Sequence, residues 1–333
     1  MTKTYESREI RLAERPQGMP GPATFELAKT EVPEPGPGQV LVRNTWMSVD
    51  PYMRGRMDDG DSYIAPFAIG APLDGHAIGE VVASRADIPV GATVAHFAGW
   101  REYALLDAET VTALDISLDR PQDHLGVLGQ TGFTAYLAVT EFARVRAGDV
   151  VFVSGAAGAV GSVAGQLARK FGAATVIGSA GGPDKARALT DTFGFDIGLD
   201  YRAGAIGDQL RAAAPHGIDV YIDNVGGDHL EAALDALTMR GRAALVGMIS
   251  GYNTPMPGPR NLYNVVTKHL TLQGVLVTEY LDRQPAYTAR AARWVADGSL
   301  RGAETVVDGI ENASDAFLGM LRGANIGKML VRL

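Results

Sequence analysis

The chain has 333 residues, of which 46% are hydrophobic and 20% are charged. This length favours two domains, and the composition is typical of a globular enzyme. The net charge of -8 without a basic cluster argues against a nucleic-acid partner. The absence of cysteine excludes disulfides, thiolate nucleophiles and Cys-ligated zinc. No segment resembles a signal peptide or an apolar span of about 18 residues, so we expect a cytoplasmic protein that does not bind membranes.

Short apolar segments separated by Pro and Gly make up the first part of the chain. Residues 39–43, 77–84 and 91–97 are candidate strands, and turn-rich stretches cover residues 16–22 and 33–38. Short strands with turn signals between them predict a small, partly open β-barrel.

From Asp149 onward, candidate strands alternate with candidate helices. The strands are predicted at 150–153, 175–178, 217–223 and 242–247, and the helices at 159–171 and 184–193. This alternation predicts a parallel sheet covered by helices on both faces, an α/β fold. The tail then has an apolar helical face formed by Ala313, Ala316, Phe317, Met320 and Leu321. A strand at 328–333 follows, and we expect this tail to rejoin the first domain.

The segment Ser154–Gly161 (SGAAGAVG) lies between the strand at 150–153 and the following helix. Gly and Ala let the backbone approach a pyrophosphate, and the helix N-terminus directs free N–H groups towards it. A larger side chain at Gly158 would occupy the position of the phosphate, and Gly161 permits close helix packing. The pattern predicts a dinucleotide site; the alternative is a plain tight turn, because glycines also serve ordinary turns.

The end of the second predicted strand, Ile177–Ala180, lacks the acidic residue that typically holds the ribose 2′-OH of NAD. Lys185, Tyr201 and Arg202 follow it instead. Cationic and phenolic donors without a carboxylate suit a 2′-phosphate, so NADP(H) is the predicted cofactor. The alternative is that Lys185 and Arg202 are solvated surface charges.

Several motifs are distributed along the chain, and the most specific is Ser48–Met57 (SVDPYMRGRM). The others are Arg15-Pro16-x-Gly18, Gly99-Trp100-x-Glu102-Tyr103, Gly132–Tyr136 (GFTAY), Asp223–Gly227 (DNVGG), Gly247-Met248-Ile249-Ser250-x-Tyr252-Asn253 and Asn325-x-Gly327-Lys328. With these motifs the chain resembles the medium-chain dehydrogenase/reductase superfamily. The resemblance is specifically to its zinc-independent branch of prostaglandin reductases (leukotriene B4 12-hydroxydehydrogenases), plant double-bond reductases and bacterial curcumin reductases.

This resemblance implies a GroES-like, partly open barrel domain (residues 1–125 and 303–333) and a Rossmann NADP-binding domain (residues 126–302). It also implies a homodimer joined through the Rossmann sheet. The implied activity is NADPH-dependent reduction of the C=C bond of α,β-unsaturated aldehydes and ketones.

The resemblance also assigns cofactor contacts. The residues expected to bind NADP(H) are Thr134, Ala157, Gly158, Ala159, Val160, Gly161, Lys185, Tyr201, Asn224, Met248, Ile249, Ser250, Tyr252, Val275, Leu276, Val277 and Asn325.

Two features depart from related patterns. Gln130-Thr131 stands where many members have Met-Pro, which places two polar side chains near the expected nicotinamide and leaves the substrate preference open. Gly75-His76-Ala77 stands where zinc alcohol dehydrogenases have Gly-His-Glu, and without cysteine three zinc ligands are hard to assemble. We therefore expect no metal and read His76 as a hydrogen-bonded core or cleft histidine.

Without zinc, hydrogen-bond donors must stabilise the enolate oxygen that forms during hydride transfer, and a proton must reach the α-carbon. Tyr252 is the candidate catalytic donor; the alternative is that it only positions the cofactor. Tyr52 and Tyr63 are candidate substrate-binding residues, or aromatics packed under a loop. Arg54 and Arg56 could attract an acidic substrate or form structural ion pairs.

The sequence leaves open two alternatives to an NADPH-dependent reductase of α,β-unsaturated aldehydes and ketones. One is an NADPH quinone reductase of the same superfamily, which would lack the Ser48–Met57 motif. The other is a nucleotide-binding structural protein without turnover. The other histidines show no metal-ligand spacing and are assigned to the surface or core: His96, His124, His216, His229 and His269.

Overall fold

The computed structural model describes residues 3–115 and 120–333. The strands are β1 (Thr4–Leu12), β2 (Phe25–Pro33), β3 (Gln39–Ser48), β4 (Ala77–Ser84), β5 (Thr93–His96), β6 (Tyr103–Asp107), β7 (Thr112–Ala113), β8 (Val150–Val153), β9 (Thr175–Ala180), β10 (Ile197–Asp200), β11 (Ile218–Asp223), β12 (Leu237–Leu245), β13 (Thr271–Gly274), β14 (Glu304–Asp308) and β15 (Lys328–Arg332). The helices are α1 (Gln130–Leu137), α2 (Ala159–Lys170), α3 (Pro183–Asp191), α4 (Ile206–Ala213), α5 (Gly227–Ala236), α6 (Asn264–Thr267), α7 (Gln284–Ala296) and α8 (Ala313–Leu321). None of the helices in the described ranges is long and apolar enough to cross a membrane.

The chain divides into two units. The first consists of Met1–Leu125, Thr305–Asn325 and Met329–Leu333, and the second of Gly126–Glu304 and Ile326–Lys328.

The first unit contains a seven-stranded sheet and a separate β1–β2 pair. The sheet order is β14-β15-β3-β4-β5-β7, and β6 also pairs with β3. Within the described residues no pairing joins β14 to β7, so the sheet stays open, as the predicted partly open barrel requires.

Most of the C-terminal tail lies in the first unit, whereas Ile326–Lys328 belong to the second. Strand β15 pairs antiparallel with β3, with Leu330 opposite Ser48. On the predicted apolar face of α8, four residues are buried and Leu321 is partly buried. The ring of Phe317 on this face lies edge-on to the ring of Trp100, with 6.1 Å between centroids. Helix α8 therefore supplies part of the core of the first unit, together with Met53 and Met57.

The second unit is a six-stranded parallel sheet in the order β10-β9-β8-β11-β12-β13. The apolar strand residues form its core, where the ring of Phe152 on β8 stacks on that of Tyr221 on β11, 5.3 Å apart. Strand order reverses at β8, whose neighbours are β9 and β11. In open α/β sheets, a ligand crevice forms at this reversal, outside the carboxyl ends of the strands.

Candidate active site

The Gly-rich turn follows β8 and leads into α2, as predicted. Gly155 has a φ of +58°, which favours glycine, and Gly158 is the N-cap of α2. A Cβ at Gly161 would lie 2.4 Å from the carbonyl oxygen of Gly155, so only glycine fits there. The turn thus brings the N-terminus of α2, with its unpaired N–H groups, to the strand-order reversal, where a pyrophosphate can bind.

The tail contributes one backbone contact to this turn. The amide of Gly327 donates a hydrogen bond to the carbonyl oxygen of Ala157, with 2.7 Å between nitrogen and oxygen. Gly327 has a φ of +70°, and a Cβ there would lie 2.0 Å from the carbonyl oxygen of Ala303. Glycine is therefore required at this position. The sequence motif Asn325-x-Gly327 marks the residue but does not reveal the contact.

A buried carboxylate joins the ends of β8 and β11. Asp223 is fully buried, and its Oδ1 accepts hydrogen bonds from the hydroxyls of Tyr221 (2.6 Å) and Ser154 (3.0 Å). The same oxygen accepts the amides of Val225 (2.9 Å) and Gly226 (2.8 Å). Burial raises the pKa of the Tyr221 hydroxyl, which keeps it protonated as a donor. The sequence marks Asp223 as the first residue of the Asp223–Gly227 motif and as a polar residue ending an apolar strand, but neither signal predicts these hydrogen bonds.

Loops at the carboxyl ends of the central strands converge around Asn224. Its side-chain amide donates to the carbonyl oxygen of Ser154 (2.7 Å), and its own carbonyl accepts the amide of Ile249 (3.3 Å). The amide of Ser250 donates to Val225 (3.2 Å), and the amide of Val275 donates to Leu245 (2.9 Å). The structure therefore brings Asn224 and the 248–250 segment together at the reversal and places Val275 at the carboxyl end of β12.

Tyr252 lies at the end of this loop. Its hydroxyl accepts a hydrogen bond from the amide of Met248, with 3.4 Å between the two atoms. Burial raises the pKa of the Tyr252 hydroxyl. Because the hydroxyl accepts from Met248 and stays protonated, its own proton can be donated to another acceptor.

A phenol hydroxyl and a guanidinium lie close to Gly181, which directly follows β9. A Cβ on Gly181 would lie 2.6 Å from the hydroxyl oxygen of Tyr201 and 3.0 Å from Nε of Arg202. Burial and then the charge of Arg202 lower the pKa of Lys185, which lies on α3. Within residues 3–115 and 120–333, neither cationic side chain has a carboxylate partner. Two neighbouring uncompensated cations, a phenol and a helix N-terminus together fit a phosphate.

Asp200 connects the segment around Gly181 to the segment around Arg202. Its Oδ1 accepts hydrogen bonds from the amides of Gly182 (2.7 Å) and Arg202 (2.9 Å). The acidic side chain at the end of β10 therefore caps backbone amides and does not pair with Lys185 or Arg202.

The predicted substrate residues lie in the first unit. The hydroxyl of Tyr52 is buried and has no hydrogen-bond partner in the described part of the chain, and burial raises its pKa. The side chain of Tyr63 is 60% exposed. Tyr52 therefore has an unused polar atom, whereas Tyr63 presents its ring to solvent.

The arginines of the Ser48–Met57 motif are structural. Arg56 is ion-paired with Asp74, and its guanidinium lies 3.9 Å from the centroid of the Phe67 ring. Arg54 donates to the carbonyl of Gly18 (2.9 Å) and pairs with Asp58 (2.8 Å). Both side chains are almost completely buried, which favours the structural alternative over attraction of an acidic substrate.

Two threonine hydroxyls near the start of α1 have local roles. The hydroxyl of Thr134 donates to the carbonyl of Gln130 within α1 (2.8 Å), and that of Thr131 donates to the carbonyl of Gly126 (3.0 Å). Asn325 is buried. The cofactor contacts expected of Thr134 and Asn325 stay predictions.

Two histidines of the first unit have identifiable environments. The ring of His76 lies edge-on to the ring of Phe97, 4.9 Å between centroids. His96 is fully engaged, because its Nδ1 accepts the amide of Ala98 (3.0 Å) and its Nε2 donates to Oδ1 of Asn44 (2.8 Å). The described residues contain no group of three or more His, Cys, Asp or Glu side chains placed to hold a metal ion.

Comparison with known proteins identifies the family. Residues 8–114 match the model described as the N-terminal domain of oxidoreductase, and residues 159–297 match that of zinc-binding dehydrogenase. The NADPH-dependent curcumin reductase of Escherichia coli is 38% identical over 97% of this chain and 95% of its own. The NADP(+)-dependent 2-alkenal reductase of Nicotiana tabacum is 36% identical over 99% of this chain and 98% of its own.

A solved structure agrees with these relatives. The crystal structure of CurA from Vibrio vulnificus in complex with NADPH has a TM-score of 0.93 to this chain and is 39% identical, covering 98% of both chains. The α/β architecture, with an open strand-rich unit and a Rossmann parallel sheet, is the one predicted from the sequence. The chain belongs to the medium-chain dehydrogenase/reductase superfamily, in the zinc-independent branch that includes the curcumin, alkenal and prostaglandin reductases.

Proposed function

We propose that this protein is an NADPH-dependent oxidoreductase that reduces the C=C bond of α,β-unsaturated aldehydes and ketones. The observation that carries the cofactor assignment is the pair of uncompensated cations, Lys185 and Arg202, beside Gly181 and Tyr201. A 2′-phosphate neutralises that pair, whereas NADH offers only a hydroxyl. The names of the relatives, curcumin reductase and 2-alkenal reductase, support the substrate class.

The second unit supplies most of the proposed binding groups for the cofactor. The N-terminus of α2 binds the pyrophosphate at Ala157–Gly161, and Lys185, Tyr201 and Arg202 bind the 2′-phosphate. Asn224, the 248–252 segment, Val275–Val277, Thr134 and Asn325 are proposed to contact the rest of NADP(H). When bound, NADPH supplies the hydride that reduces the β-carbon of the substrate.

Tyr252 is the proposed proton donor. As the β-carbon accepts the hydride, the electron pair of the C=C bond moves towards the carbonyl group, and an enolate forms. The Tyr252 hydroxyl then gives its proton to the α-carbon, and water restores the phenol. The bond from Met248 orients this hydroxyl without using its proton. Tyr52 and Tyr63 are the proposed substrate contacts, and the unpartnered hydroxyl of Tyr52 is suited to a polar substrate group.

The test is an NADPH oxidation assay across 2-alkenals, enones, quinones and simple ketones, with products identified by mass spectrometry. We expect saturated aldehydes and ketones from the first two classes and little turnover of simple ketones. Faster turnover of quinones than of any enone would favour a quinone reductase. NADPH binding without oxidation by any of these compounds would instead favour a non-catalytic nucleotide-binding protein.

We also propose a homodimer joined through β13. This strand is the edge of the parallel sheet and pairs only with β12 in the described ranges. Exposed apolar side chains precede it, at Leu262 (54%), Tyr263 (73%) and Val266 (69%). An unpaired edge beside exposed apolar residues favours association with a second copy. Light scattering after gel filtration tests this: the wild type should have twice the chain mass and Val266→Asp the mass of one chain, whereas a monomeric wild type would refute the proposal.

The protein is further proposed to act in the cytoplasm, because a reductase that consumes NADPH needs a compartment that regenerates it. Fractionation of the source cells with an antibody against the chain tests this. Recovery with the membrane or secreted fraction would contradict it.

A further inference from the structure

The ring of Tyr201 rests against a buried histidine. The centroids of the Tyr201 and His229 rings are 5.2 Å apart and the ring planes are at 82°, an edge-to-face contact. Tyr201 follows β10 and is 40% exposed, whereas His229 lies in the first turn of α5 and is only 6% exposed. One side of a partly exposed tyrosine ring thus packs against a buried side chain.

The backbone of His229 is anchored to the central network. Its amide donates to the carbonyl of Gly226 (3.1 Å), and the amide of Gly226 donates to the buried carboxylate of Asp223 (2.8 Å). The loop beside the cofactor turn therefore positions the backbone of His229. The buried ring of His229 in turn provides a packing surface for Tyr201.

The His229 ring acts on Tyr201 as a neutral ring. Burial lowers the pKa of His229, against the smaller opposing effects of Asp223 and Asp228. Its Nε2 is buried and has no hydrogen-bond partner within the part of the chain that the structure describes. Because Tyr201 contacts the ring itself, the interaction between the two residues is an aromatic one.

We propose that His229 is a positioning residue for cofactor selection: it holds Tyr201 in the orientation that brings its hydroxyl to Gly181, where the 2′-phosphate of NADPH binds. The hydroxyl oxygen lies 2.6 Å from the position that a Cβ on Gly181 would take, so Tyr201 fills the space left by this glycine. This inference rests on the proposed use of NADPH. It assigns to His229 a share of the preference for NADPH over NADH, although the residue itself does not bind the phosphate.

The experiment compares His229→Ala and His229→Phe with the wild-type protein. Calorimetry measures the affinities for adenosine 2′,5′-bisphosphate and for AMP, which differ in the 2′-phosphate, and steady-state kinetics give KM and kcat with NADPH and NADH. We expect His229→Ala to weaken binding of the bisphosphate and to raise KM for NADPH, each about two- to tenfold. The affinity for AMP, KM for NADH and kcat should be nearly unchanged. His229→Phe keeps an aromatic ring and should restore most of the preference.

Two controls separate this role from a general loss of structure. Leu230→Ala removes a similarly buried side chain from the same helix and should lower the thermal midpoint without changing the ratio of bisphosphate to AMP affinity. In a Tyr201→Phe background, His229→Ala should have no further effect on that ratio, because the hydroxyl it positions is gone. If His229→Ala does not fold, His229→Val provides the same comparison.

The outcomes distinguish the inference from the proposed function. A wild-type protein that binds adenosine 2′,5′-bisphosphate no better than AMP would refute the NADPH assignment itself. The role of His229 alone would be overturned if the wild type prefers the bisphosphate over AMP and both His229→Ala and His229→Val keep that preference. It would also be overturned if Leu230→Ala reduces the preference as much as His229→Ala does.

Discussion

Lys185 and Arg202 lie close enough for their charges to interact: burial and then the Arg202 guanidinium lower the pKa of the Lys185 ammonium group. Such repulsion costs stability unless an anion neutralises it, and no carboxylate in residues 3–115 and 120–333 does so. The pair therefore fits the proposed site for the 2′-phosphate of NADPH.

Lys185→Ala should raise KM for NADPH about tenfold or more and leave KM for NADH nearly unchanged, because one charge-assisted hydrogen bond to the 2′-phosphate is lost. Steady-state kinetics with both cofactors measure this. Arg187→Ala is the matched control, since Arg187 lies on the same helix and is paired with Asp184. An equal change for both cofactors would contradict a 2′-phosphate contact.

Tyr252→Phe should lower kcat about 100-fold, because the variant lacks the hydroxyl that gives its proton to the substrate. KM for NADPH should change less than twofold, because the aromatic ring is kept. Because burial raises the pKa of the Tyr252 hydroxyl, ionisation of this residue should not lower kcat below pH 10. A pH profile of kcat for wild type and variant checks both points. An unchanged kcat together with a raised KM for NADPH would mean that Tyr252 only positions the cofactor.

Gly161→Ala should destabilise the fold by about 1–3 kcal/mol, because its Cβ would overlap the carbonyl oxygen of Gly155. The free energy of unfolding in urea, with and without NADPH, measures this. Gly207→Ala on α4 is the control: its Cβ would meet only the Cβ of Ala232 at 3.7 Å, so it should be neutral or slightly stabilising. Wild-type stability of Gly161→Ala would show that the turn can open to accept a side chain.

His96 should make the fold less stable in acid. Burial, followed by the charges of Arg101 and His76, lowers its pKa to about 3 in the folded protein. In the unfolded chain His96 is protonated below about pH 6.5, whereas in the folded chain it stays neutral down to about pH 3. The contribution of the neutral His96 to the free energy of unfolding is therefore complete above pH 6.5 and is lost as the pH falls towards 3. At pH 5 the loss is about 2 kcal/mol.

Urea unfolding between pH 7.5 and pH 5 checks this expectation. Burial also lowers the pKa of His124 and His229, which act in the same direction, so the wild type alone does not isolate His96. His96→Gln should remove its share of the slope, whereas His216→Gln, at an exposed position, should leave the slope intact. Equal slopes in His96→Gln and the wild type would contradict the assignment.

Much of the secondary structure follows from local patterns. Strands β4 and β8 have the predicted bounds, Ala77–Ser84 and Val150–Val153, because each is one apolar run between turn residues. Strand β3 was predicted to end at Arg43 but continues to Ser48, where it pairs with Leu330 of β15. That extension depends on a partner almost three hundred residues away, which no local window of sequence contains.

The sequence by itself determined the dinucleotide turn, the missing acid after the second strand and the family, because glycine spacing and residue type are local properties. Only the tertiary structure revealed that Asp223 joins Ser154 to Gly226, that Gly327 bonds to Ala157 and that the rings of His229 and Tyr201 are in contact. These pairings join segments that are distant in the sequence, because the folded parallel sheet brings the carboxyl ends of its strands to one edge, where most buried polar groups are hydrogen-bonded. The glycines therefore mark the proposed cofactor site in advance, whereas the contacts around that site become visible only when the chain is folded.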